Sequence, residues 1–195
     1  PLQPVFEDTV SPTLGADFVE RSLLAGAVGL GLVILFMVLF YRLPGLMASL
    51  ALIVYAAITM AIFKMLPVTL TLTGIGGFIL SVGMAVDANV LINERIKEEL
   101  RGGRTLGAAI EAGFRNAWAA IRDSNVTTFI SCAILYWLAS SIVESPAVKG
   151  FALTLFIGVA ASMFSAIVVT RTFIRFFRSS RFTRRSIWFG VAQKQ

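Results

Sequence analysis

Charged residues divide this chain into long uncharged blocks. Twenty residues without a charge separate Arg21 from Arg42, twenty-one separate Arg42 from Lys64, and twenty-two separate Lys64 from Asp87. Twenty more lie between Asp123 and Glu144, and twenty-one between Lys149 and Arg171. A helix rises about 1.5 Å per residue, so about 20 apolar residues cross the roughly 30 Å of bilayer hydrocarbon. The blocks therefore predict five transmembrane helices, at about 22–41, 46–63, 68–93, 124–143 and 150–170. None carries the polar stripe that a helix of a soluble bundle turns to water.

The polar stretch 94–122 interrupts this pattern. Its first residues, Glu94 to Arg101, continue the third helix into water, and Gly102–Gly103 breaks it. Over 105–121, Leu106, Ile110, Phe114, Trp118 and Ile121 recur at helical spacing, which predicts a helix lying on the membrane surface. The expected fold is an all-α membrane protein, with five transmembrane helices and a cytoplasmic, interfacial helix between spans three and four. Residues 1–19 hold no hydrophobic segment but three prolines and three acids, and no initiator Met. They are expected to be the tail of a truncated external domain, followed by a transmembrane domain at 20–178 and a basic tail at 179–195. At the end of the transmembrane domain Arg171, Arg175 and Arg178 share a helix face, expected to meet anionic headgroups.

Composition sharpens this reading. The chain is 57% hydrophobic, above the roughly 45–50% of soluble domains. Its net charge of +6 could suggest nucleic acid, but the basic residues flank the spans. Assigned to alternating sides, fourteen Lys and Arg fall on one side and only Arg21, Lys64 and Lys149 on the other. The positive-inside rule puts the first group in the cytoplasm, with the N-terminus outside and the C-terminus inside. A single cysteine, Cys132, allows no intrachain disulfide. The absence of histidine removes His-based catalysis, His-ligated metals and histidine pH switching. No metal or organic cofactor is expected.

One acid, Asp87, lies inside the third block. On a helical wheel Gly76, Leu80, Gly83, Asp87, Val90 and Glu94 fall near one line. Small residues let helices approach closely, so this stripe predicts Gly76 and Gly83 as helix-packing residues and a packed neighbour beside Asp87. The acid sits about 9 Å from the centre of the span. An Asp at mid-helix costs about 2.5–3.5 kcal/mol to insert. Desolvation raises its pKa and a nearby cation lowers it, so an acid balanced between the two can load and release a proton. The structural alternative is a protonated or Arg-paired carboxyl that only fixes helix register. Asn89 and Asn93 lie on another face, as helix-contact residues or, for Asn89, part of a proton path. In the fourth span Asn125, Thr128 and Cys132 share a face with Thr127 beside it. The threonines either touch the proton path or bond their own backbone.

The third span, LeuThrLeuThrGlyIleGlyGly (70–77) through GlyMetAlaValAspAlaAsnValLeuIle (83–92), with GluArgIleLysGluGluLeu (94–100), resembles the SecD family of protein-export subunits. ArgAspSerAsnValThrThr (122–128) resembles the family's next motif, and SerProThrLeuGly (11–15) its return to the membrane from a large periplasmic domain. The similarity covers residues 11–175. Asn93 stands where the family usually has an aromatic, and Thr73 where it often has Pro. The resemblance implies a six-helix half-bundle of the resistance–nodulation–division type in the bacterial inner membrane, with five of its spans present. It implies SecF, the SecYEG channel, YajC, a preprotein substrate and membrane lipids as partners, and use of the proton motive force in late translocation and release at the periplasmic side. Asp87 then matches the family's proton-carrying aspartate, with SecF supplying the arginine. Protons are the coupling ion.

Three alternatives remain. A proton-driven exporter of small molecules or lipids would share the fold, but such exporters often carry two adjacent acids where this chain has Ala88 and Asn89. An intramembrane aspartyl protease needs two carboxylates sharing a proton, and a Ser–Lys protease needs a lysine deeper than Lys64 or Lys149, so enzymes are not expected. A passive scaffold would use Asp87 only to grip SecF.

Overall fold

A computed structural model describes residues 12–66 and 71–178; expectations for 1–11, for 67–70 at the start of the third predicted span and for the tail 179–195 lie outside these residues. The described residues are helical apart from short connections. Helix α1 runs Pro12–Met65, α2 Leu72–Arg101, α3 Leu106–Ser141 and α4 Pro146–Phe164, and a π-helical turn at Ser165–Val169 leads into α5, Thr170–Arg178. Among the described residues, three stretches are long and apolar enough to cross a membrane: Asp17–Met65, Leu72–Arg101 and Pro146–Phe176.

Helix α1 is two arms meeting at Arg42, whose φ of 52° and ψ of −119° break the helical run. Gly45 shows how sharply the chain turns. A Cβ there would strike the carbonyl oxygen of Met37, which in a straight helix would be about 12 Å away along the axis. Met37, Tyr41 and Ala48 are buried together inside the turn. Lys97 of α2 holds it from outside, with its Nζ 3.3 Å from the Phe40 carbonyl oxygen and 4.3 Å from the Tyr41 ring centroid.

Helix α2 is the central element, with α4, α3 and α1 packed on successive sides. Its buried line is Gly74, Gly77, Ser81, Ala85, Ala88, Asn89, Ile92, Asn93 and Ile96. The glycines on this line bring backbones together. A Cβ on Gly77 would lie 2.9 Å from the Phe151 carbonyl oxygen, and one on Gly158 of α4 would strike Ser81. Ser81 and Tyr55 share a buried hydrogen bond of 2.7 Å, joining the second arm of α1 to α2. Thr71 caps α2 by accepting from the Gly74 N–H at 3.0 Å, and Thr73 donates to the Ala147 carbonyl at 2.6 Å.

Two expectations change here. The helix predicted to lie on the membrane surface at 105–121 is the first half of α3, which continues without a break through Arg122 and Asp123 to Ser141. Its apolar face meets protein: Ile110, Phe114 and Ile121 are buried against Ile92 and Ile96 of α2 and Ile174 of α5. Gly113 lets α3 close on the backbone of Ile96. Periodicity shows that a face is apolar; it does not distinguish headgroups from a neighbouring helix, and no Gly or Pro marks a boundary at 122–124. Likewise, Arg171 and Arg175 are not a bare headgroup-binding face. Both bond Glu111 of α3, with Arg175 Nε 2.8 Å from Glu111 Oε1, and so fasten α5 to α3. The Arg178 side chain lies outside the described atoms.

Candidate functional site

Asp87 lies midway along α2 on the side opposite its buried line. The exposed positions Gly76, Leu80, Gly83 and Asp87 form one stripe. On one flank Val86 and Val90 pack against α1 clusters; on the other, Met84 packs beside Cys132 and Phe129 of α3. Asp87 is therefore at the centre of an open face between α1 and α3. Side chains on a helix lean toward its N-terminus, which here points the carboxylate toward Gly83. Nothing lies within 4 Å of where a Cβ on Gly83 or Gly76 would be. The two glycines thus leave a shallow, unfilled lane along the helix, and the contacts they could serve are with something outside the described residues. No hydrogen bond or ion pair reaches Asp87 from the described residues.

The other candidates fall in different places. Asn89 is buried on the opposite side of α2. Its Nδ2 donates to the Ala85 carbonyl at 2.9 Å, and its Oδ1 accepts from the Thr170 hydroxyl at 2.7 Å. This joins α2 to the end of the π-helical turn, and at the start of that turn Ser165 donates to the Ala51 carbonyl of α1 at 2.9 Å. A π turn leaves backbone groups offset from the α register, and these bonds fix where the offset falls. One turn along α2, Asn93 is 1% exposed, and neither polar atom of its amide has a partner among the described residues. Asn125 is buried in α3. Thr127 donates to the Asp123 carbonyl at 3.0 Å and Thr128 to the Ser124 carbonyl at 3.2 Å. Both hydroxyls thus engage their own helix, the local alternative considered from sequence. Among the described residues, none of the hydrogen bonds of Asn89, Thr127 and Thr128 goes to Asp87.

Sequence reasoning missed Glu111, Thr170 and the Tyr55–Ser81 pair. Glu111 carried a signal: it is a lone acid between Arg104 and Arg115. Its carboxyl is held below the ordinary carboxylate value by hydrogen bonds from Arg171 and then Arg175. Thr170 and Ser81 carried none, because short hydroxyl residues in apolar helices usually bond their own backbone.

The geometry defines a helical membrane protein with one carboxylate on an open interhelical face. The family described as "Protein export membrane protein SecD/SecF, C-terminal" matches residues 3–180. The chain belongs to this family, matching the C-terminal region of SecD. It is 64% identical over 177 residues to the Dehalococcoides mccartyi protein translocase subunit SecD, covering 91% of this chain and 39% of that protein. The Thermobaculum terrenum SecD is 56% identical over all 195 residues, 38% of its own length. The Escherichia coli K12 SecD is 49% identical over 175 residues, covering 89% of this chain and 28% of that protein. The chain thus spans less than half the length of these relatives.

Proposed function

We propose that the chain is the membrane-embedded proton-responsive part of a Sec translocation subunit, which uses the proton motive force to assist late preprotein translocation and release at the periplasmic side. The observation that carries this reading is Asp87: a carboxylate within an apolar helix, at the centre of an open face, beside a glycine-floored lane and without a partner among the described residues. An acid left unpaired there is costly; a second subunit packed on the lane would shield it and could supply a cation to pair with it. SecF, with the SecYEG channel and YajC as further partners, fits that role through the family named on this chain's relatives. In this reading the two arms of α1, the helix α2, the second half of α3 and α4 with α5 make five spans. Arg42 and the 94–122 region face the cytoplasm of a bacterial inner membrane, with the N-terminal side outside. The protein acts as a carrier of protons and force rather than as an enzyme, and needs no cofactor beyond the coupling proton.

The same open carboxylate supports a second reading, in which Asp87 only grips the neighbouring subunit. Proton uptake separates the two. Full-length protein and SecF partner are reconstituted in proteoliposomes as wild type and as Asp87→Asn. Lost uptake with an intact complex is expected; equal uptake would leave Asp87 as an assembly residue.

A further inference from the structure

A groove of about 190 Å³ lies between α3 and α4, lined by Cys132, Ala133, Tyr136, Ala152, Leu153 and Phe156. Its floor is made by small side chains. Phe129 and Phe156 close one end, with ring centroids 4.8 Å apart. At the other end stands Tyr136, with the Lys149 ammonium 5.3 Å from its ring centroid. Lys149, Leu153 and Phe156 follow one another at helical spacing on α4, so the cation lies at the head of the same face. An apolar cavity of about 150 Å³ stays dry and takes a hydrocarbon guest, so this groove is large enough for part of an alkyl chain.

The groove's open end is positive twice over. Helix α4 starts at Pro146, capped by Ser145, so Lys149 falls in its first turn, which contains no acid. Helix N-termini carry partial positive charge and normally favour acids there; a cation in that turn adds to the unfavourable field. Glu144 precedes the cap, yet Lys149 forms no ion pair with it or with any described carboxylate. Trp137, 61% exposed beside Tyr136, adds the kind of aromatic residue that settles at a membrane–water interface.

We propose that this groove binds one anionic phospholipid, with an acyl chain against Ala133, Ala152 and Leu153 and its phosphate between Lys149 and the first turn of α4. The field at the α4 N-terminus selects the anionic headgroup and the small-residue floor holds the chain. This site lies on a different helix pair from Asp87 and stands whether or not Asp87 carries protons.

The test uses full-length protein with its partner subunit in membranes of phosphatidylglycerol and phosphatidylcholine. A photoreactive benzophenone residue replaces Phe156, an aromatic of the groove wall, so that the small-residue floor stays open, and the adduct is identified by mass spectrometry. A phospholipid adduct is expected; an adduct to a protein segment would show that another helix fills the groove and would overturn the proposal. In parallel, native mass spectrometry compares binding of the two lipids to wild type and to Lys149→Gln. Wild type should hold phosphatidylglycerol about fivefold more tightly, the contribution of one lysine beside an anionic lipid, and Lys149→Gln should lose that preference. Equal preference in both would overturn the headgroup assignment, and Ala133→Phe, which fills the floor without touching the cation, should weaken both lipids.

Discussion

Asn93 has a polar amide at 1% exposure with no bonding partner among the described residues. A buried polar atom without a partner costs about 1–3 kcal/mol, and replacing it with an apolar group of similar shape removes that cost. Asn93→Leu should therefore raise thermal stability in detergent by an amount in that range; a lower melting temperature would mean the amide is satisfied by bound water. Asn89, one turn earlier, should behave oppositely. Its amide bridges Ala85 and Thr170, so Asn89→Leu leaves the Thr170 hydroxyl only its 3.4 Å bond to the Ser165 carbonyl and should destabilise by about 1 kcal/mol, the net worth of one lost hydrogen bond. The sequence placed both asparagines on a face away from Asp87 and allowed both to bond across helices. It could not distinguish them, because the partner that separates their roles, Thr170, is eighty-one residues away.

Close approach and charge pairing decide how the elements join. The glycines that bring helices together are Gly77, Gly113 and Gly158, each facing a neighbour's backbone or side chain. Gly158→Leu would drive into the Tyr55–Ser81 hydrogen bond and should cost about 1–3 kcal/mol, the usual range for overpacking, read as a lower melting temperature. Helix α5 is held differently, by Glu111 bridging Arg171 and Arg175. All three side chains are more than a third exposed, so Glu111→Gln should cost no more than about 1 kcal/mol. The pH dependence follows from the lowered Glu111 pKa. Its contribution is complete above the ordinary carboxylate value and is lost as pH falls through the lower folded-state value. Protection of α5 amides from hydrogen exchange should thus be unchanged near neutrality and fall only in acid. The helices and most breaks were legible from uncharged blocks and glycines: the turn at Arg42, the end of α2 at Gly102–Gly103 and the extension of α2 beyond the apolar block. The continuity of α3 was not, because an apolar stripe in a polar stretch satisfies a bilayer surface and a helix neighbour equally well.

At the scale of the whole molecule, one side of α2 is filled and the other is empty. On the filled side Gly77 and Ser81 meet α4 and α1. The empty side carries Gly76, Leu80, Gly83 and Asp87, and nothing in the described chain reaches its glycines. The sequence pattern identified this stripe and its acid. It could not show that the expected neighbour lies outside the described residues, because a glycine repeat looks the same in either case. That distinction yields a test in which stability and function part. Gly83→Leu places a large side chain into open space beside Asp87, so the chain's own thermal stability should change by less than about 0.5 kcal/mol, as for surface sites. In the full-length complex the same side chain would occupy the space through which a neighbouring helix must approach the carboxylate. Co-purification of the partner subunit and proton uptake should both fall. If the complex and proton uptake both survive Gly83→Leu, the lane beside Asp87 is open to lipid or water, and the partner must meet this chain along another face.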